Sequence, residues 1–247
     1  MRNTVDILGV PVDSITMKEA IAKVGVFIKE GGVHAIYTPN AEIMMAAQRD
    51  EELKAILSQA DMLTADGAGV VLASKLLNTP VPEKVSGFDL VKEIFKTYSS
   101  KGLRCFLFGA KPGVAEKAAE KIKSDYPGIV IAGLRNGYFK DIDDNEIISN
   151  INTANADLLI VCLGAPKQEK WIYSHKDKLN AKVCMGVGGT IDVFAGTTKL
   201  APDFFRRNGL EWLYRLYREP RRAIRMLDLP RFIIRVLAVR LKKILRF

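Results

Sequence analysis

Histidine is nearly absent from this chain: only His34 and His175 occur, far apart in sequence. Cys105, Cys162 and Cys184 form no CxxC pair, so a Cys/His metal centre is not expected. An odd number of thiols within apolar runs, with no leader-like segment ahead of them, points to a reducing cytosol. Long apolar runs are also missing. After Pro230 the longest uncharged stretch is VLAV (236–239), far short of the ~20 apolar residues that a spanning helix needs. Neither GxGxxG nor a Walker loop is present, and there are no repeats or low-complexity segments. With 247 residues, 48% of them hydrophobic, the chain can bury one substantial core with or without an appendage.

Positive charge is abundant but confined. Residues 206–247 hold 13 Arg and Lys against Glu211, Glu219 and Asp228, a net +10 where the whole chain is +9. A nearly neutral unit over 1–195 and a basic helical appendage over 196–247 are therefore expected. Aromatics and arginines interleave in PDFFRRNGLEWLYRLYREPRR, and the chain ends in RFIIRVLAVRLKKILRF. On a helical wheel Arg231, Arg235, Lys242 and Arg246 share roughly a 60° arc. Ile233, Ile234, Leu237, Leu241, Ile244 and Leu245 take the apolar side, with Arg240 and Lys243 spoiling the segregation. Such a helix suits an anionic membrane surface, on which it would lie rather than cross. Nucleic acid is not the expected partner, because a phosphate backbone asks for charge more than for Leu and Ile. Core packing is the remaining explanation, and a homo-oligomer is left open.

The first two hundred residues alternate between β-branched runs and helical patterns. VHAIYT (33–38), LRCFLFG (103–109), GIVIAGL (128–134), DLLIVCLG (157–164) and AKVCMGVG (181–188) read as strands. Helical patterns cover 40–60, 114–126 and 167–179, and Thr16-Met17-Lys18-Glu19 is a capping box that opens a helix to about Lys29. The class is α/β: a Rossmann-like, largely parallel sheet with helices on both faces, plus the basic helical appendage.

The stretch MLTADGAGVV (62–71) holds one ionisable side chain, Asp66, with nothing nearby in sequence to neutralise it. It reads either as the N-cap of a helix over 67–77 or as a functional carboxylate. Three strand ends carry Gly-rich loops before helices: FGAKPG (108–113), LGAPKQE (163–169) and MGVGGTID (185–192). At the carboxyl edge of a parallel sheet such loops form a ligand crevice with N–H groups facing phosphate. Asp192 could take ribose hydroxyls there, or serve as a first-turn acid. Thr38 and Asn40 end the first strand of the sheet and offer hydroxyl and amide groups to a sugar, with Lys84 and Gln168 completing a polar pocket. Asp141-Ile142-Asp143 spells Asp-x-Asp but reads as a solvated turn, so no metal is expected. A leaving diphosphate would then need cations, and Arg215, Arg222 and Arg225 share one helical face.

TPNAEI, LTADGAGVV, VSGFDL, LFGAKPG, LGAPKQE and GVGGTIDVFAG, in this order, resemble the WecG/TagA/CpsF family of bacterial glycosyltransferases over about residues 4–220. The likeness is greatest to the branch that builds the wall teichoic acid linkage unit. It implies inverting, metal-independent transfer of N-acetylmannosamine from its UDP sugar to undecaprenyl-diphosphate N-acetylglucosamine in β-1,4 linkage, with no cofactor. It implies an enzyme peripheral on the inner face of the cell membrane. The family's pocket maps onto Thr38, Asp66, Gln168 and Asp192. A sugar hydroxyl must lose its proton as it attacks, which makes Asp66 the expected general base, ahead of Glu42 and Glu169. Thr38 would orient a sugar. Asn40, Asp192, Tyr138 and the strand-end residues Gly109, Gly164, Pro166, Val187 and Gly188 would hold UDP. Lys84 stands where the family commonly has arginine, keeping the charge but losing the fork. A sister-branch transferase with another UDP sugar (N-acetylmannosaminuronic acid or glucose) is the alternative, and a non-catalytic UDP-sensing membrane adaptor is another.

Overall fold

The computed structural model describes residues 2–220 and 223–245. The chain opens with an antiparallel hairpin, β1 (Thr4–Ile7) and β2 (Val10–Asp13). Leu8 and Gly9 turn it, both at positive φ (57° and 82°), the geometry that suits the twist of a two-residue hairpin. Six further strands build the main sheet: β3 (His34–Tyr37), β4 (Met62–Leu63), β5 (Arg104–Gly109), β6 (Val130–Arg135), β7 (Leu158–Cys162) and β8 (Val183–Gly186). Their order is β4-β3-β8-β7-β5-β6, and every neighbouring pair is parallel. β7 and β8 are buried along their whole length, as strands covered on both faces must be.

Alternate residues feed two apolar layers. Ile36, Leu107, Ile160 and Met185 meet the helices Met17–Lys29, Gly87–Tyr98 and Val114–Asp125. Tyr37, Phe108, Val161 and Cys184 meet the helices Ala41–Ala47, Glu51–Ser58, Asp144–Thr153 and Lys167–His175. The expected capping box is present: Thr16 Oγ1 accepts from the Glu19 N–H at 3.2 Å, and Glu19 Oε2 accepts from the Thr16 N–H at 2.8 Å. The helical pattern over 40–60 divides in two, because Asp50 caps a second helix through the Leu53 N–H at 3.0 Å.

The C-terminal region runs through short helices Asp203–Arg207, Glu211–Arg218 and Ala223–Met226 into a long one, Asp228–Ile244. That last helix packs against Ala41–Ala47 and Ala68–Leu76. Phe232 and Val236 are fully buried in the same cluster as Tyr37 and Val161. Asp228 does not interrupt this docking. Arg49, in the break between two helices, forks onto it at 3.0 and 2.7 Å and holds its carboxyl below the usual range. The division expected after residue 195 thus marks a change of composition, while the last helix shares the main core. Core packing accounts for one of its faces, and the other, with Ile234, Leu237, Leu241 and Ile244, is exposed.

Truncating a fully buried phenylalanine costs about 3–5 kcal/mol. Phe232→Ala is therefore expected to lower the single urea-unfolding midpoint of the whole protein. An unchanged midpoint would mean that the helix is a detachable appendage.

Candidate active site

Because all six strands point the same way, their carboxyl ends open at one edge of the sheet. A cleft of about 740 Å³ lies there, within the range of small-molecule sites. Every strand contributes to its wall: Thr38 and Asn40 after β3, Asp66 after β4, Lys111 after β5 and Tyr138 after β6. Gly164 and Gln168 follow β7, and Val187, Gly188 and Asp192 follow β8. The C-terminal region supplies a further part of the wall with Arg206, Glu211, Tyr214, Arg215, Arg218 and Arg225.

Asp66 is half-buried and faces this space. The helix Ala68–Leu76 that follows it starts on Gly67, with no side-chain cap, so capping does not explain the carboxylate. Its Oδ2 instead accepts from the Gly87 N–H at 3.4 Å, at the opening turn of Gly87–Tyr98. Withdrawal from water pushes the carboxyl up to about 6. Arg215, the Gly87 N–H and Lys84 pull against that shift, and Glu211 adds to it.

The other polar groups are held by local bonds. Asn40 Oδ1 accepts from the Ile43 N–H at 3.0 Å and caps Ala41–Ala47, which leaves its NH2 for a ligand. Asp192 sits in the first turn of the helix Thr190–Phe194, and its backbone oxygen accepts from the Thr198 N–H at 3.1 Å. Gln168 is buried against β8, where its Oε1 accepts from the Gly188 N–H at 3.0 Å. Asp143 accepts from the Lys140 N–H at 2.9 Å, closing a turn.

Of the residues expected at the site, Lys84, Gly109 and Pro166 stand behind its wall. Lys84 pairs with Glu211, which does line the cleft. Gly109 is structural: at φ 137° a Cβ would fall 2.3 Å from the Cys162 carbonyl oxygen, so glycine lets the ends of β5 and β7 approach. Pro166 precedes the first turn of Lys167–His175. Glu42 lies in the cleft but is paired with Arg225 at 3.3 Å. Glu169 is buried behind Gln168 and off the cleft wall. Arg222 lies outside the described residues.

The family model for the WecG/TagA/CpsF glycosyl transferases matches residues 5–246. The chain belongs to this family. Among the curated WecG/TagA/CpsF-type relatives, N-acetylglucosaminyldiphosphoundecaprenol N-acetyl-beta-D-mannosaminyltransferases of Bacillus spizizenii and Bacillus subtilis are each 40% identical over 202 residues, covering 82% of this chain and 78% of theirs. A protein of the same name from Staphylococcus aureus is 35% identical over 234 residues, covering 94% of this chain and 91% of its own. In this WecG/TagA/CpsF member the cleft has contributors that sequence reading did not single out. Glu211 was one of three acids in a basic tail, with no local pattern to mark it. Gly87, in VSGFDL, has a purely tertiary role: a Cβ there would fall 2.7 Å from Thr38 Oγ1 and 3.1 Å from Val187 Cγ1. Thr38, Asp66 and Val187 thus converge on one bare stretch of backbone.

Gly87→Ala keeps the N–H that reaches Asp66 but displaces Thr38. Turnover is expected to fall about 100-fold, as for a ~1 Å misplacement of reacting groups, beyond what the modest loss of stability from overpacking, about 1–3 kcal/mol, would cause in a protein still folded at the assay temperature. Wild-type rates in a steady-state assay would show that the Thr38 position is immaterial.

Proposed function

We propose that this chain transfers N-acetylmannosamine from UDP-N-acetylmannosamine to undecaprenyl-diphosphate N-acetylglucosamine by a single inverting displacement that needs no metal. The observation that carries the chemistry is Asp66, the desolvated carboxylate on the floor of the cleft. Its proton affinity, raised to about 6, makes it a better base than a water-exposed carboxylate while leaving it mostly ionised at neutral pH. An acceptor hydroxyl gives its proton to Asp66 as its oxygen bonds to the anomeric carbon. The bond from that carbon to the diphosphate oxygen breaks, and UDP leaves with the electron pair. One displacement inverts the carbon, so an α-linked donor gives a β product.

The strand-end loops and Asp192 hold the nucleotide in this reading, and the NH2 of Asn40 and the Thr38 hydroxyl hold sugar. The departing diphosphate meets Arg215 and Arg225, with Arg218 beside them in the cleft wall. Arg215 and Arg225 lie on two separate helices, Glu211–Arg218 and Ala223–Met226, and not on the single helical face that their spacing suggested.

No helix among the described residues is long and apolar enough to cross a membrane. Yet the acceptor's polyprenyl chain stays in the bilayer, so the cleft has to be brought to it. Ile234, Leu237, Leu241 and Ile244 form a stripe on the last helix, 45–65% exposed, flanked by exposed Arg231, Arg235 and Lys242. Phe232 and Val236 point the other way, into the core. Apolar insertion beside arginines that meet lipid phosphates supports docking on the cytoplasmic leaflet.

Asp66→Asn should lower turnover by about 10²–10⁴-fold while UDP affinity stays within about threefold. The parent's rate should fall about tenfold per pH unit below an apparent pKa near 6. Stability moves the opposite way. A raised carboxyl pKa means that the fold loses stability as pH rises through about 6. Asp66→Asn should therefore gain about 1–2 kcal/mol at pH 7.5 and little at pH 4. UDP release from UDP-N-acetylmannosamine with lipid-linked acceptor reads the first effect, and thermal melts read the second. Full activity in Asp66→Asn ends the mechanism.

Replacing Leu237 and Leu241 together by Asp is expected to abolish pelleting with anionic vesicles. Turnover of a short-chain soluble acceptor should persist. Vesicle binding equal to the parent's would remove the last helix from membrane docking.

A further inference from the structure

The first turn of the helix Lys167–His175 departs from the usual pattern. Acids in a first turn normally face water and gain from the helix dipole. Here Gln168 and Glu169 are both turned inward, 2% and 1% exposed. Gln168 reaches the cleft wall and Glu169 lies behind it.

The Gln168 amide is held from both sides. Its Oε1 accepts from the Gly188 N–H at 3.0 Å, and its Nε2 donates to Glu169 Oε1 at 2.9 Å. Gly186 leaves room for it: a Cβ there would lie 3.3 Å from both Gln168 Cγ and Nε2. Glu169 is fixed in turn, because the Tyr37 hydroxyl donates to its backbone oxygen at 3.3 Å. Its second carboxylate oxygen, Oε2, is buried without a hydrogen-bond partner. Burial pushes this carboxyl up to about 6, against the pull of Gln168. A buried acid with one idle oxygen costs stability, and an apolar residue of similar size would fold more cheaply.

What the acid supplies is direction. A glutamine amide has nearly the same shape either way round, and only its partners decide which end is oxygen. A reversed Gln168 would set NH2 against the Gly188 N–H and oxygen against the Glu169 carboxylate, two repulsions in one move. In the observed sense the Gly188 N–H is engaged. Gly188, at φ 56°, is the pivot of the loop that carries Val187 and Asp192 into the cleft.

We propose that Glu169 is a positioning residue: through its bond to the Gln168 amide it fixes the β8 loop in the shape that binds the nucleoside diphosphate. This rests on the reading of the cleft as a UDP-sugar site. Glu169 does not touch substrate and passes no proton to it.

The test uses the full-length protein and UDP itself, titrated by calorimetry, with turnover measured in parallel. Glu169→Leu removes the acceptor while keeping an apolar fill, and Glu169→Gln keeps an oxygen that can accept from Gln168. Glu169→Leu is expected to weaken UDP binding about tenfold or more, the scale of a lost bond to a charged group. Donor KM should rise with it and kcat should change less. Glu169→Gln should stay within about threefold of the parent. In a Gln168→Ala background, Glu169→Leu should cost less than about twofold, because the residue acts only through that amide. Thermal melts identify any variant that fails to fold; should Glu169→Leu fail, Glu169→Met, which also lacks the acceptor, takes its place with the same expected loss. Parent-like UDP affinity in Glu169→Leu, or effects of the two sites that multiply, overturns the proposal. A parent that binds UDP with this coupling but transfers no N-acetylmannosamine supports the proposal while removing the transfer reaction. A parent that binds no UDP overturns both.

Discussion

A carboxylate withdrawn from water must be paired, hydrogen-bonded or protonated, and the floor of the cleft is arranged around that constraint on Asp66. The Gly87 N–H reaches it from the opening turn of Gly87–Tyr98, and the missing side chain of Gly87 lets Thr38 and Val187 pack close beside it. Arg215 favours the ionised form from the opposite wall, while Glu211 moderates the field and is itself held by Lys84. The balance leaves a group that takes a proton readily and is still free of one near neutrality. Full neutralisation by a tight salt bridge would give a poor base. Complete isolation would give a protonated acid.

The wall that carries Arg215 is attached by two kinds of force. Ion pairs of alternating sign run along it: Arg206 with Asp89, Glu211 with Lys84, Arg225 with Glu42 and Asp228 with Arg49. Partly exposed pairs of this kind contribute little each, about 0–1 kcal/mol, so they select a register more than they bind. Adhesion comes from Phe232 and Val236, whose burial is worth about 1.5–3 kcal/mol apiece. The last helix thus anchors the C-terminal region in the core, while the shorter helices Glu211–Arg218 and Ala223–Met226 ahead of it are tethered over the cleft by exchangeable charges.

Most of the sheet was legible in sequence, because buried parallel strands read as short β-branched runs ending in glycine-rich loops. The hairpin at residues 4–13 was not, since Leu8 occupies a positive-φ turn position where a leucine gives no turn signal. β4 is two residues long, too short for any period to show. The last helix misled in an instructive way. Its apolar residues were read as one face, but Ile233 packs with Phe232 and Val236 against the core while Ile234, Leu237 and Leu241 remain outside. A single helical wheel cannot divide apolar residues between two partners. Asp66 stood out as a lone carboxylate among small residues, and Thr38, Gln168 and Asp192 as polar groups at strand-end loops; all four line the cleft. Gly87 and Glu211 were missed, because their significance depends on neighbours distant in the chain.

Two acids of this cleft region, Asp66 and Glu169, are raised to about 6, each chiefly by burial. Proton affinity alone therefore does not distinguish them. The oxygens do. Those of Asp66 face the cleft, with one long contact to a backbone N–H that a bound hydroxyl can outcompete. Glu169 has one oxygen committed to the Gln168 amide and the other sealed in the core. The same desolvation acts on a carboxyl open to the cleft at one position and on a carboxyl sealed behind its wall at the other, and access separates the two. Both acids also oppose folding at neutral pH, a cost that persists in natural chains mainly where function depends on it.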